Sequence, residues 1–161
     1  MATVNVTIKN VDRLVARLNN ISKVELQEKM AKAVAMVHGQ AKLLAPVNTG
    51  NLASSIHQEV RENNDTLEGR VFTNVQYAPY VEFGTGSTGN GTYPYDVKGL
   101  TLTYRNSSWV YTPDGETFFR TSGQVAQPFM YPALKQNEKY IQEMFKSAVK
   151  NHLAQNCKGG K

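Results

Sequence analysis

Residues 22–50 read SKVELQEKMAKAVAMVHGQAKLLAPVNTG, and this stretch decides the fold. Leu26, Met30, Ala33, Val34, Val37, Ala41 and Leu44 recur at steps of three and four, which gathers them on one face of a helix. Lys23, Glu28, Lys29, Lys32 and Lys42 populate the other faces. Ser22 supplies an N-cap oxygen, and Glu25 three positions later completes a capping box. Pro46 stops the helix, because the residue before a proline is pushed out of the α region. Gly50 lies in the turn beyond it.

Working outward, residues 3–8 (TVNVTI) alternate as a strand, with Val4, Val6 and Ile8 on one face. Val11, Leu14, Val15 and Leu18 follow at helical spacing, up to a break at Asn19-Asn20. On the other side, residues 53–61 predict a strand with Ile56 and Val60 inward, and Leu52 turned inward just before it. Asn63-Asn64-Asp65 supplies turn chemistry. Residues 66–75 predict a second strand, with Leu67, Val71 and Val75 on one face, so the two form a β-hairpin. Residues 77–83 (YAPYVEF) predict a single helical turn. The Gly-rich residues 84–94 predict a flexible loop. Two or three more strands are expected within 97–121, from Val97, Leu100, Leu102, Tyr104, Trp109, Val110, Tyr111, Phe118 and Phe119, with a turn at Pro113-Asp114-Gly115. Residues 122–128 read as loop. A final helix is expected over 131–155 behind Pro132, with Leu134, Ile141, Phe145, Ala148 and Leu153 as its apolar stripe.

Helices are segregated from strands rather than alternating with them, which argues α+β. The expected architecture is an antiparallel sheet packed against a long central helix and a C-terminal helix. Residues 84–125 form a loop and β-rich insertion or arm. The 161 residues suit a single domain, with a flexible tail at 156–161.

Composition narrows the function. One cysteine, Cys157, excludes disulfide scaffolding within the chain and fits a reducing compartment. The opening residues lack the pattern of a signal peptide. Asn-x-Ser/Thr sites, Asn5, Asn64, Asn90 and Asn106 among them, are therefore read as carrying no glycan. The net charge of +5 is uneven: +4 over residues 1–45, −3 over 46–91, zero over 92–128 and +4 over 129–161. All fifteen aromatic residues lie from Phe72 onward, and twelve lie between Tyr77 and Tyr131. Tyrosine joins a polar tip to an apolar body and is enriched at interfaces; the same rings can equally pack a β-rich core.

No catalytic, cofactor-binding or metal-binding constellation survives inspection. Gly84-Thr-Gly-Ser-Thr-Gly89 matches GxGxxG formally, but Asn90-Gly91-Thr92-Tyr93-Pro94 cannot open the helix that would hold a pyrophosphate. His38, His57 and His152 sit on three different elements without ligand spacing. Ser54-Ser55 beside His57 lacks an orienting acid, and neither GxSxG nor HExxH occurs. Glu59, Glu62, Asp65, Glu68 and Glu82 fall on alternating faces and in a turn. Cys157 lies among polar residues without an electropositive pocket.

Three segments, in order, resemble a known family: Ala45–Ile56 (APVNTGNLASSI), Tyr77–Thr85 (YAPYVEFGT) and Ala126–Leu134 (AQPFMYPAL). Together they look like the tail-component family of long-tailed, lambda-like phages, over roughly residues 10–155. The chain departs from the family at residues 87–125, which look longer and more aromatic than the usual link. The resemblance implies a structural virion protein of the neck or upper tail. Such a protein assembles as a homo-oligomeric ring and meets neighbouring neck, tail-terminator or tail-tube proteins. It would be made in the bacterial host cytoplasm and carry no enzyme activity, cofactor or membrane contact. Candidate interface residues are Tyr77, Tyr80, Glu82, Phe83, Tyr93, Tyr95, Tyr104, Trp109, Tyr111, Phe118 and Phe119, with Glu82 expected to pair with a basic group. Pro46, Gly50, Pro128, Phe129 and Pro132 read as scaffold. The alternative is non-specific DNA binding through Lys23, Lys29, Lys32 and Lys42 on one helix and Lys135, Lys139, Lys146 and Lys150 on the other.

Overall fold

The computed structural model describes residues 3–6, 23–48, 50–63 and 66–156. In chain order the main elements are β1 (Thr3–Val6), α1 (Lys23–Leu44), β2 (Ile56–Asn63), β3 (Thr66–Thr73), α2 (Ala78–Phe83), β4 (Trp109–Tyr111), β5 (Phe119–Thr121) and α3 (Met130–Asn156). Single helical turns lie at Asn51–Ser54 and Gly86–Gly89. The fold is α+β. The helix expected over 11–18, the Ser22 cap, the centre of the Asn63–Asp65 turn and residues 157–161 lie outside the described residues.

The apolar face of α1 is buried as its spacing predicts: Leu26, Met30, Ala33, Val34, Val37 and Ala41 all enter the core. Ala45 N–H still donates to Ala41 (2.9 Å), and Pro46 ends the helix there. The sheet has strand order β1-β3-β2, antiparallel throughout. Ile56 stands opposite Thr73, and both are buried. The helix lies close against β3 at Gly69, where an added Cβ would lie 2.8 Å from Met30 Sδ and closer still to Val34 Cγ2. On α3, Ile141 and Phe145 join the core that α1 builds, and Ala148 is buried as well. His38 Nε2 reaches the Ile56 carbonyl (3.0 Å) and ties α1 to the start of β2.

Four expectations are corrected. The strand expected from residue 53 begins at Ile56, because Asn51–Ser54 forms a helical turn. Gly50, at φ 77°, admits that turn, and Ser54 and Ser55 hydroxyls donate back to Asn51 (2.9 Å) and Leu52 (2.7 Å) carbonyls. Val60, expected inward, is 36% exposed, since it lies on the edge strand, one strand out from the close approach at Gly69. The strand expected over 66–75 ends at Thr73, whose buried hydroxyl bonds Ser55 Oγ (2.8 Å) and takes the Val75 N–H (3.2 Å). Two strands form within 97–121, as the two or three expected allow, but they are β4 and β5 in one short hairpin, and Val97, Leu100, Leu102 and Tyr104 lie in none. Residues 97–108 pack without ladder partners; Leu100 N–H turns back to Val97 (2.9 Å) and the Tyr104 hydroxyl donates to the Phe83 carbonyl (2.9 Å).

The interval 84–94 also differs from the free loop expected. Thr85 and Gly86 form bridges with Gln124 and Gly123, which pins the interval against residues 122–127.

Candidate interaction surface

The surface is organised by α2, the second family-like segment. Pro79 fits its first turn, where a missing N–H costs nothing. Ala78 and Glu82, one turn apart, face inward, while Tyr77 and Tyr80 stand 42% and 59% exposed.

Glu82 is 4% exposed and, among the described residues, pairs with backbone N–H groups rather than with a basic group. Its Oε2 accepts the N–H groups of Phe129 (2.7 Å) and Met130 (2.9 Å), and its Oε1 accepts that of Tyr131 (3.1 Å). These are orphan donors at the N-terminus of α3, where a negative charge also meets the positive end of the helix dipole. The carboxylate therefore welds the second family-like segment to the third. Phe129 beside it is fully buried, and Pro132 follows at the start of the helix. The sequence suggested an ion pair; a cap reaching across 47 residues leaves no local signal.

An aromatic ladder covers this weld. Phe83 meets Tyr93 (ring centroids 5.1 Å apart), Tyr93 meets Tyr95 (5.6 Å), and Tyr95 meets Tyr131 (5.0 Å). Such tilted pairs each add about 0.5–1.5 kcal/mol beyond area burial. The Tyr93 hydroxyl is buried and has no hydrogen-bond partner among the described residues. Burial, then the nearby Glu82 charge, hold it protonated well above the usual tyrosine range. Tyr93 and Tyr95 thus serve packing, and half-buried Tyr104 ties the arm to α2.

Beyond the ladder lies an open groove of about 890 Å³. Tyr77, Tyr80 and Phe83, in and beside α2, and Leu102, Tyr104, Trp109 and Tyr111, from the arm, line it together. The Arg105 guanidinium stands 5.7 Å from the Trp109 ring centre, in cation–π range. Past the groove, the β4–β5 hairpin projects Phe118 (72% exposed), with Tyr111 and Phe119 about half exposed and 5.8 Å apart. Its turn is closed by Asp114 Oδ1, which accepts the N–H groups of Thr117 (2.7 Å) and Glu116 (3.0 Å). Those bonds hold the Asp114 carboxyl below the usual carboxylate range.

The structure thus brings Tyr77, Tyr80, Phe83, Tyr104, Trp109 and Tyr111 to one groove and places Phe118 and Phe119 on the adjoining hairpin. Glu82, Tyr93 and Tyr95 lie beneath. Sequence reading missed Val110 on the hairpin and a second exposed apolar pair, Leu43 and Val47, at the end of α1. Leu43 could have been found, since it lies off the helical stripe that Leu44 continues.

Among the described residues, no group of three or more His, Cys, Asp or Glu side chains could hold a metal ion, and no helix is long and apolar enough to cross a membrane. No curated protein and no solved structure matches the chain. Residues 7–84 match a family described as "Bacteriophage HK97-gp10, putative tail-component". That stretch holds the first family-like segment and all but the last residue of the second, so over a little under half its length the chain resembles a phage tail-component family, which is a structural and not an enzymatic one.

Proposed function

We propose that this chain is a structural protein of a phage tail, working in the neck or upper tail as a homo-oligomeric ring that joins its neighbours by surface contact. The observation that carries the reading is the pairing of the tail-component match over residues 7–84 with exposed aromatic surface outside it, on the hairpin at 109–121. A ring needs one surface on each copy that fits a different surface on the next, with a rotation that closes. The hairpin is suited to such a contact: its outer edges are free to take a further strand, and Val110, Phe118 and Phe119 are large apolar groups held in water. Lone apolar residues on a surface are ordinary; a cluster on one projecting element is not.

Purified protein, weighed by light scattering and imaged in negative stain, should form closed rings. Val110→Ser with Phe118→Ser should shift the mass toward single copies while circular dichroism stays unchanged. A protein that stays monomeric at high concentration yet still completes head–tail joining would sink the proposal.

The DNA-binding alternative rests on the lysines along α1 (Lys23, Lys29, Lys32 and Lys42) and along α3. On α3, Lys135 and Lys146 are engaged by Glu138 (2.8 Å) and Glu143 (2.7 Å), which thins the second row.

A further inference from the structure

We infer that residues 87–122, the arm, are locked onto the body of each copy before any partner is met, by a glycine clasp built from Gly86 and Gly123. The inference goes beyond the proposed assembly role and does not depend on it.

At the clasp two chain segments cross at backbone contact. Thr85 and Gly86 bridge Gln124 and Gly123 on the way into and out of the arm. A Cβ on Gly86 would sit 2.7 Å from the Ser122 carbonyl carbon and 2.8 Å from Trp109 Cζ3. A Cβ on Gly123 would sit 2.9 Å from the Gly86 Cα and closer still to the Thr85 carbonyl. Both positions also hold positive φ, 63° and 106°. Glycine here serves close approach, the use opposite to flexibility. By contrast, an added Cβ on Gly91, Gly99 or Gly115 would meet nothing within 4 Å.

Hydrogen bonds on both sides hold the crossing shut. Gln124 N–H donates to Thr85 Oγ1 (3.2 Å), Thr88 N–H to the Ser122 carbonyl (3.2 Å), and Ala126 N–H to Thr92 Oγ1 (2.9 Å). Gln124 Nε2 reaches the Tyr80 carbonyl (2.9 Å), and Gln127 N–H reaches that of Val81 (2.8 Å). The groove is lined by residues that precede the crossing in the chain and by residues the crossing encloses, so the clasp makes the groove a standing feature of the lone subunit. A preformed surface avoids the ordering cost that a disordered arm would meet on binding.

Hydrogen–deuterium exchange on the full-length protein tests this. Hydrogen-bonded amides of the β4–β5 ladder and of Gly123, Gln124, Ala126 and Gln127 should be protected in the free chain. Gly86→Ala should speed their exchange by at least about tenfold while residues 26–44 and 130–150 keep their protection, because local opening is then decoupled from global unfolding. Exchange of those amides at random-coil rates in the parent, or no change in the variant, overturns the inference. Should Gly86→Ala fail to fold, a Thr85→Cys, Gln124→Cys pair on a Cys157→Ser background replaces it. Oxidation should then link the two cysteines within one chain in native buffer and not in concentrated urea. Absence of that link, or equal yields in both, overturns the inference. These readouts need no assembly, so they fail or succeed independently of the ring.

Discussion

Replacing Glu82 is the sharpest perturbation the structure offers. Its carboxylate sits 4% exposed and accepts three backbone N–H groups at the start of α3. Glu82→Gln keeps the shape and one acceptor oxygen. If that oxygen serves Phe129 and Met130, the amide N–H2 confronts the Tyr131 N–H, donor against donor. Loss of the charge at a buried helix N-terminus costs about 1–2 kcal/mol. An orphaned buried donor adds about 1 kcal/mol, for a total of about 2–3 kcal/mol. Glu82→Ala leaves all three donors without an acceptor and should cost about 3–5 kcal/mol. Urea denaturation with an unchanged m-value would measure both, and the Tm should fall by about 2–4 °C per kcal/mol. The Phe129 and Met130 amide proton resonances should move in the Gln variant. Glu138→Gln, in an exposed pair with Lys135, is the control and should stay within about 0.5 kcal/mol of the parent. Both Glu82 variants matching that control would refute the weld between the second and third family-like segments.

Further outcomes follow from single positions. Tyr93→Phe removes a buried hydroxyl without a partner and should stabilise the protein by about 1 kcal/mol, read as a raised urea midpoint. In the parent, the raised Tyr93 pKa means the unfolded chain loses that proton first; its contribution is intact below about pH 10 and lost as pH climbs, so alkaline unfolding should move to higher pH in the Phe variant. Gly69→Ala should cost about 1–3 kcal/mol through overpacking against Met30 and Val34, and Val34→Ala in the same chain should recover part of it. Asp114→Ala should fray the β4–β5 hairpin, seen as lost cross-strand contacts between Val110 and Arg120 by NMR, with the core unmoved. Acidification should mimic it, since a depressed carboxyl pKa gives a contribution present above the usual carboxylate range and lost as pH falls.

What the sequence could show depended on whether the cause was local. The α1 stripe and the Pro46 stop are local, and the buried set from Leu26 to Ala41 follows from spacing alone. Gly50 and the hydroxyls of Ser54 and Ser55 are also local, yet they favour a turn where β-formers nearby argued for a strand. The role of Glu82 is wholly non-local, because an acid beside tyrosines reads as a surface charge until Phe129 is brought over it. Glycine is the most ambiguous residue of all. The run at 84–91 reads as freedom, whereas at Gly86 and Gly123 the missing Cβ lets two backbones touch. The aromatic concentration at 77–131 was visible in composition, but its division into a buried ladder, a groove and an exposed hairpin rests on tertiary contacts.

As a proposed built-in part of a phage tail, this chain should travel with the finished particle. Gold-labelled antibody on purified particles of the encoding phage, imaged together with quantitative mass spectrometry of the same particles, tests it most directly. The account predicts label at the head–tail junction and a fixed number of copies per particle. Particles that join heads to tails normally while containing none of this protein would contradict it.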